Sequence, residues 1–116
     1  MFSSIIIRGA LAQDHEFIYP FYRLLEEKSK LDVCLIGGKP VLGILGTTLP
    51  PIKDYPVKDI EDVNVKDYDL LVLPGGVKAL EKTRQNKKFI KFISDFHKAG
   101  KVIACICSGV QLLISA

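Results

Sequence analysis

Cys107, Glu16, the Gly75-Gly76 pair and Ser108 are the residues whose types and spacing could do chemistry together. Cys107 stands where the apolar run KVIACI (101–106) gives way to Ser108-Gly109 and a second apolar stretch, GVQLLISA (109–116). A buried strand, then Cys-Ser-Gly, then an apolar helix is the pattern of a nucleophile elbow, a turn so tight that the residues two before and two after the nucleophile must be small. Cys105 and Gly109 occupy those two positions. A thiol at such a turn sits at a helix N-terminus, where the dipole and the free N–H groups favour the thiolate. The same residues also fit a core cysteine at a strand end, so this segment by itself leaves both readings open.

Glu16 falls just past the first apolar run, on the opening turn of a helical pattern. A carboxyl group there could hydrogen-bond a thiol or serve as general acid and base; it could equally do no more than complement the helix dipole. Asp14 and His15 are expected as exposed neighbours on that turn. Pro74-Gly75-Gly76 ends another apolar run with no side chain in the way, so its backbone N–H groups can face an oxyanion, with the Ser108 N–H as the second donor. Taken alone, a Gly-Gly after a strand is often only a turn. Cys34 and Cys105 lie inside hydrophobic runs and read as small buried residues. The only histidines are His15 and His97, and no spacing suits zinc. No metal and no other cofactor is expected.

These residues need elements to position them. SSIII (3–7) ends at Arg8-Gly9 as a buried first strand would. From His15 to Lys28, Phe17, Ile18, Phe21, Tyr22 and Leu25 recur at helical spacing, with Pro20 marking either the start of the helix or a bend in it. LDVCLI (31–36) reads as a second strand ending at Gly37-Gly38. Residues 39–63, rich in Pro, Gly and β-branched types, predict short strands and turns. DYDLLVLPGG (67–76) is a strand with its turn, and KALEKTRQN has room for a short helix. In NKKFIKFISDFHKAG (86–100), Phe89, Ile90, Ile93 and Phe96 share one face and Gly100 caps the end. KVIACI is the last strand, and SGVQLLISA begins another helix. Strands alternating with helices imply a mostly parallel sheet covered on both faces, with ligands at the carboxyl ends of the strands.

The 116 residues suit one domain, 1–116, and 48% hydrophobic with 25% charged residues is a globular composition. The net charge of +3 is modest, and the lysines are spread among acids. A nucleic-acid interface would need a denser basic stripe with interleaved aromatics, so none is expected. No apolar run approaches the roughly 18 residues of a membrane span. Three cysteines without framework spacing fit a reducing setting, so a cytoplasmic location is expected.

With these residues aligned, the chain resembles the ThiJ/PfpI family, which includes the parkinsonism-associated deglycase and the PfpI-type peptidases. The matching segments are HEFIYPFYRLLEE (15–27), DYDLLVLPGG (67–76) and GKVIACICSGVQLLISA (100–116), in family order. The resemblance implies a flavodoxin-like three-layer α/β sandwich with a nucleophile elbow. It also implies that Cys107 is the nucleophile and that a protonated Glu16 is its partner. Gly75 or Gly76 and the Ser108 N–H would form the oxyanion pocket. The implied activity is cysteine-dependent chemistry on small carbonyl compounds, of glyoxalase, deglycase or hydratase type, usually in a homodimer or larger homo-oligomer. A non-enzymatic oxidation-sensing or stress-response role for Cys107 is the alternative. A regulator's ligand-binding domain would need a helix-turn-helix segment that this sequence does not contain. ICSGVQLL is also similar to the elbow of class I glutamine amidotransferases, but HEFIYP is not theirs.

Two departures from the family pattern stand out. PfpI-type peptidases carry His directly after the nucleophile, where this chain has Ser108, which argues against a peptidase triad of that kind. Family members also continue beyond the elbow helix. The C-terminal portion is therefore expected to be absent from this chain, as in a fragment, a truncated product, or one half of a protein whose other half is a separate chain.

Overall fold

In a computed structural model, residues 2–9, 12–27, 30–76, 84–106, 109 and 114 are described. Strand β1 (Ser3–Arg8) is followed by helix α1 (Asp14–Glu26) and strand β2 (Lys30–Leu35). The Pro- and Gly-rich stretch folds into three two-residue strands, β3 (Val41–Leu42), β4 (Thr48–Leu49) and β5 (Val57–Lys58), and then two 3₁₀ turns at Ile60–Asp62 and Val65–Asp67. Strand β6 (Leu70–Leu73), helix α2 (Lys87–Lys98) and strand β7 (Val102–Cys105) complete the described elements. The expected short helix after Gly76 falls mostly, and the elbow helix almost wholly, outside the described residues.

The main sheet has the order β5-β2-β1-β6-β7, and each pair in it is parallel. β3 and β4 form a separate antiparallel pair. With β5 set aside as an edge, the succession is that of a flavodoxin-like sheet, and the chain reverses its direction of winding at β1, between β2 and β6. This is the α/β fold that the sequence implies.

β1 shows why the sheet lies in the middle. Ile5, Ile6 and Ile7 are all fully buried, an unbroken apolar run suited to a strand covered on both faces. Because side chains alternate along a strand, Ile5 and Ile7 join Cys34, Leu71 and Leu73 against Phe89, Phe92, Ile93 and Phe96 of α2. Ile6 joins Val33, Leu35 and Val72 against Phe17 and Phe21 of α1. Three layers result.

The helix ends follow local chemistry. Asn86 caps α2 by accepting the Lys88 and Phe89 N–H groups, and Gly100 leaves it with φ 72°, as the expected glycine cap requires. α1 starts at Asp14 after the N-cap Gln13 and runs through Pro20. Proline there removes the N–H that would otherwise bond the Glu16 carbonyl one turn back.

Candidate functional site

Three neighbouring strands, β1, β6 and β7, deliver their carboxyl ends to one place. The register pairs Ile6 with Val72 and Leu73 with Cys105, so Arg8-Gly9, Pro74-Gly75-Gly76 and Cys105-Ile106 emerge side by side. Backbone bonds then stitch the segments beyond the strands. The Gln13 N–H donates to the Gly75 carbonyl at 2.9 Å, joining the start of α1 to the turn after β6. The Ile106 N–H donates to the Leu73 carbonyl at 3.1 Å, carrying the β6–β7 ladder one residue further.

Glu16, on the first turn of α1, is half-buried. Its Oε1 is enclosed and has no hydrogen-bond partner among the described residues. A polar oxygen in that state is costly unless something fills the position opposite it. Gly76 takes φ 112°, a backbone region in which a side chain would be strained. Gly75 and Gly76 thus lie at the strand ends with Glu16, as the sequence reading places them. Cys107 and Ser108 lie outside the described residues.

Gly109 is described, buried, and donates its N–H to the Ile106 carbonyl at 2.9 Å. A Cβ built on it would overlap the Leu73 carbonyl oxygen, a backbone atom with little room to move. Small size two residues after Cys107 is therefore a steric requirement. The Gly109→Ala variant is expected to lose about 1–3 kcal/mol of stability through overpacking, read as a lowered urea midpoint; an unchanged midpoint would show that the turn is not closed in this way.

Three other residues shape the site, and residue type alone did not mark them. Arg8, the last residue of β1, is 0% exposed. Its guanidinium donates to the Gly76 carbonyl. Burial lowers its pKa to about 10, while the Glu16 charge pulls the other way, so Arg8 is a cation at neutral pH. The second is Gln13, through the Gly75 bond. The third corrects an expectation: Asp14 is not an exposed neighbour of Glu16 but 1% exposed. Its two carboxylate oxygens accept the Leu45 N–H at 2.8 Å and the Thr47 N–H at 3.0 Å. The Ile44 N–H bonds the Ala12 carbonyl at 2.9 Å, so the β3–β4 loop is fastened to the segment leading into Glu16. Burial by itself would raise the Asp14 carboxyl, yet hydrogen bonds from Leu45 and from the Thr47 amide and hydroxyl hold it below its ordinary value. His15 is exposed as expected.

The described cysteines behave as core residues. Cys34 is fully buried, and burial, with the charges of Asp59 and Asp62 adding to it, pushes its thiol up to about 12. Burial also raises the Cys105 thiol. Neither is a ready thiolate at neutral pH. His97 lies near the end of α2, which leads into the amino end of β7, the opposite edge of the sheet from Glu16. No cluster of three or more metal-ligating side chains occurs among the described residues. Among them, too, no helix is long and apolar enough to cross a membrane.

A parallel sheet with Glu16, a Gly-Gly turn and a Cys-bearing strand end at its switch point finds its counterpart in known proteins. The sequence matches the DJ-1/PfpI family over residues 4–116. The chain belongs to the DJ-1/PfpI family. An uncharacterized protein of Archaeoglobus fulgidus is 41% identical over 104 residues, covering 90% of this chain and 58% of that protein. A deglycase of Pyrococcus abyssi is 36% identical over 112 residues, covering 97% of this chain and 64% of that protein. This chain therefore spans about three-fifths of the length of these relatives. Drosophila melanogaster DJ-1beta superposes with a TM-score of 0.85 over 98% of this chain and 59% of its own, at 23% identity, a likeness that speaks for the fold alone.

Proposed function

We propose that this chain supplies the reacting groups of a deglycase-type, cysteine-dependent site for small carbonyl compounds. The observation that carries the reading is the enclosed Glu16 Oε1 without a described partner, next to a Gly-Gly turn and the end of the strand that leads to Cys107. The name of the Pyrococcus abyssi relative supports the same chemistry.

In this reading the adduct of a 2-oxoaldehyde with an amine or thiol first reverts, releasing the amine or thiol; the Cys107 thiolate then adds to the free aldehyde carbon, and a C–S bond forms as the carbonyl π pair moves to oxygen. The Gly76 and Ser108 N–H groups receive that oxyanion, and Glu16 moves the proton. A homodimer and a cytoplasmic setting belong to the same proposal.

The experiment follows loss of the methylglyoxal–cysteine hemithioacetal with purified protein, in parallel with mass spectrometry after mild peroxide. Catalysed loss with saturation kinetics is expected. No turnover, together with Cys107 gaining two oxygens as a sulfinate, would overturn the enzymatic reading in favour of an oxidation sensor.

A further inference from the structure

Gln13 is the N-cap of α1, and Glu16 stands three residues further on, within its first turn. At that spacing a glutamate ordinarily folds back onto the N-cap N–H and closes a capping box. Here the box is open. The Gln13 N–H is given instead to the Gly75 carbonyl at 2.9 Å. Glu16 Oε1 is left enclosed, with no hydrogen-bond partner among the described residues. The local partner is so near in the chain that reaching it would cost little loop entropy. Something must therefore hold the start of α1 in the arrangement that keeps this carboxyl off its cap.

We propose that Asp14 is that hold, a positioning residue that keeps Glu16 out of its capping box and available for the reaction; the inference rests on the deglycase-type reading. The segment 12–14 is gripped by two separate elements. The turn after β6 takes the Gln13 N–H through Gly75. The β3–β4 loop makes the other grip: Asp14 accepts the Leu45 and Thr47 N–H groups, and the Ile44 N–H donates to the Ala12 carbonyl. Ala12 and Asp14 are 0% and 1% exposed, so these bonds face no competition from water. With the loop bonded on both sides of Gln13, the backbone there cannot turn to withdraw its N–H from Gly75. Glu16 is denied its nearest donor, and its carboxyl stays with the strand ends.

Aspartate suits the task. A carboxylate accepts one loop amide on each oxygen, whereas asparagine offers a single carbonyl oxygen and would set an N–H₂ group against the second amide. Gly43 completes the fit, because a Cβ there would lie 2.5 Å from both carboxylate oxygens and force the pair apart. A proton-transfer group displaced by about 1 Å can lose on the order of 10²-fold in rate.

The test compares wild type with Asp14→Ala, Asp14→Asn and Gly43→Ala, each with and without Glu16→Gln. Two readouts are taken: steady-state kinetics on the methylglyoxal hemithioacetal, and the ¹⁵N–¹H amide resonance of Gln13. Asp14→Ala is expected to lower kcat by about 10- to 100-fold with KM within about twofold. Asp14→Asn, which keeps one acceptor, should lose less. Added to Glu16→Gln, Asp14→Ala should change the remaining rate by less than about twofold, since it acts through a carboxyl already removed. In the wild-type background Glu16→Gln should barely move the Gln13 amide; in Asp14→Ala, where Glu16 has folded onto that N–H, it should move it several-fold more.

A wild-type kcat in Asp14→Ala would overturn the proposal. So would an equal loss with and without Glu16→Gln, which would mean that Asp14 supports the fold at large and not Glu16. Should Asp14→Ala fail to fold, Asp14→Asn and Gly43→Ala decide by the same criteria. Should wild type show no turnover, the deglycase reading fails separately. The Gln13 amide then judges the hold alone: sensitive to Glu16→Gln only when Asp14 or Gly43 is altered if the hold exists, equally sensitive throughout if it does not.

Discussion

Replacing Cys107 by alanine is expected to lower turnover of 2-oxoaldehyde adducts by at least about 10³-fold, because loss of a covalent nucleophile in a hydrolase costs on the order of 10⁶ in kcat. The size of the effect follows from the other two thiols. Cys34 is fully buried with its pKa pushed up to about 12, and the Cys105 thiol is also raised by burial. Neither can take over as a thiolate near neutral pH. Native alkylation by iodoacetamide should therefore mark one residue, Cys107, and the Cys107→Ala protein should resist labelling until it is unfolded. Cys34→Ala should retain the wild-type rate. Full activity in Cys107→Ala would remove the nucleophile from the scheme, whatever else the site does.

Asp14→Ala is expected to cost about 3 kcal/mol of folding stability, the largest effect among residues outside the reacting groups. The carboxylate accepts the Leu45 and Thr47 N–H groups inside the protein, and bonds to a charged acceptor are each worth about 1.5–3 kcal/mol. Alanine would leave both donors facing a cavity. The folded-state pKa is depressed, so this stabilisation is present in full above the unfolded value of about 3.9 and is lost as pH falls through the lower folded value. Urea midpoints at pH 7 and at pH 3 would show it: the gap between wild type and Asp14→Ala should narrow as the acid protonates. A gap independent of pH would mean that the loop is held by packing and not by the charge. Gly43 makes the same point sterically, because a Cβ there would lie 2.5 Å from the Asp14 carboxylate oxygens.

Much of this architecture is legible in the sequence because it rests on short-range pattern. Three consecutive isoleucines mark the centre of a doubly covered sheet, and Phe89, Ile93 and Phe96 mark the buried face of α2. Glu16 and the Gly75-Gly76 turn are legible for a related reason: parallel strands send their carboxyl ends to one edge, so position in the chain predicts position in the site. Arg8 and Asp14 are not legible in that way. Charged residues are ordinarily exposed, and what buries these two are acceptors and donors 68 and 31 residues away. A partial signal existed for Arg8, since a cation closing an isoleucine strand beneath an amphipathic helix must find a partner. No local rule marks Asp14, whose partners are backbone amides of an irregular loop.

The strand order also bears on how the chain is made. β1 pairs with β2 on one side and with β6 on the other. During synthesis β2 emerges early, whereas β6 follows roughly 35 residues later, a delay of seconds at about 5–20 residues per second. Throughout that interval a strand carrying three consecutive isoleucines has one edge unpaired, a template for any other nascent strand nearby. The start of α1, which carries Glu16, meets the Gly75-Gly76 turn only after β6 has arrived. The ribosome-bound chain thus passes through a stage with a sticky open edge, and chaperone supply during those seconds should set its yield.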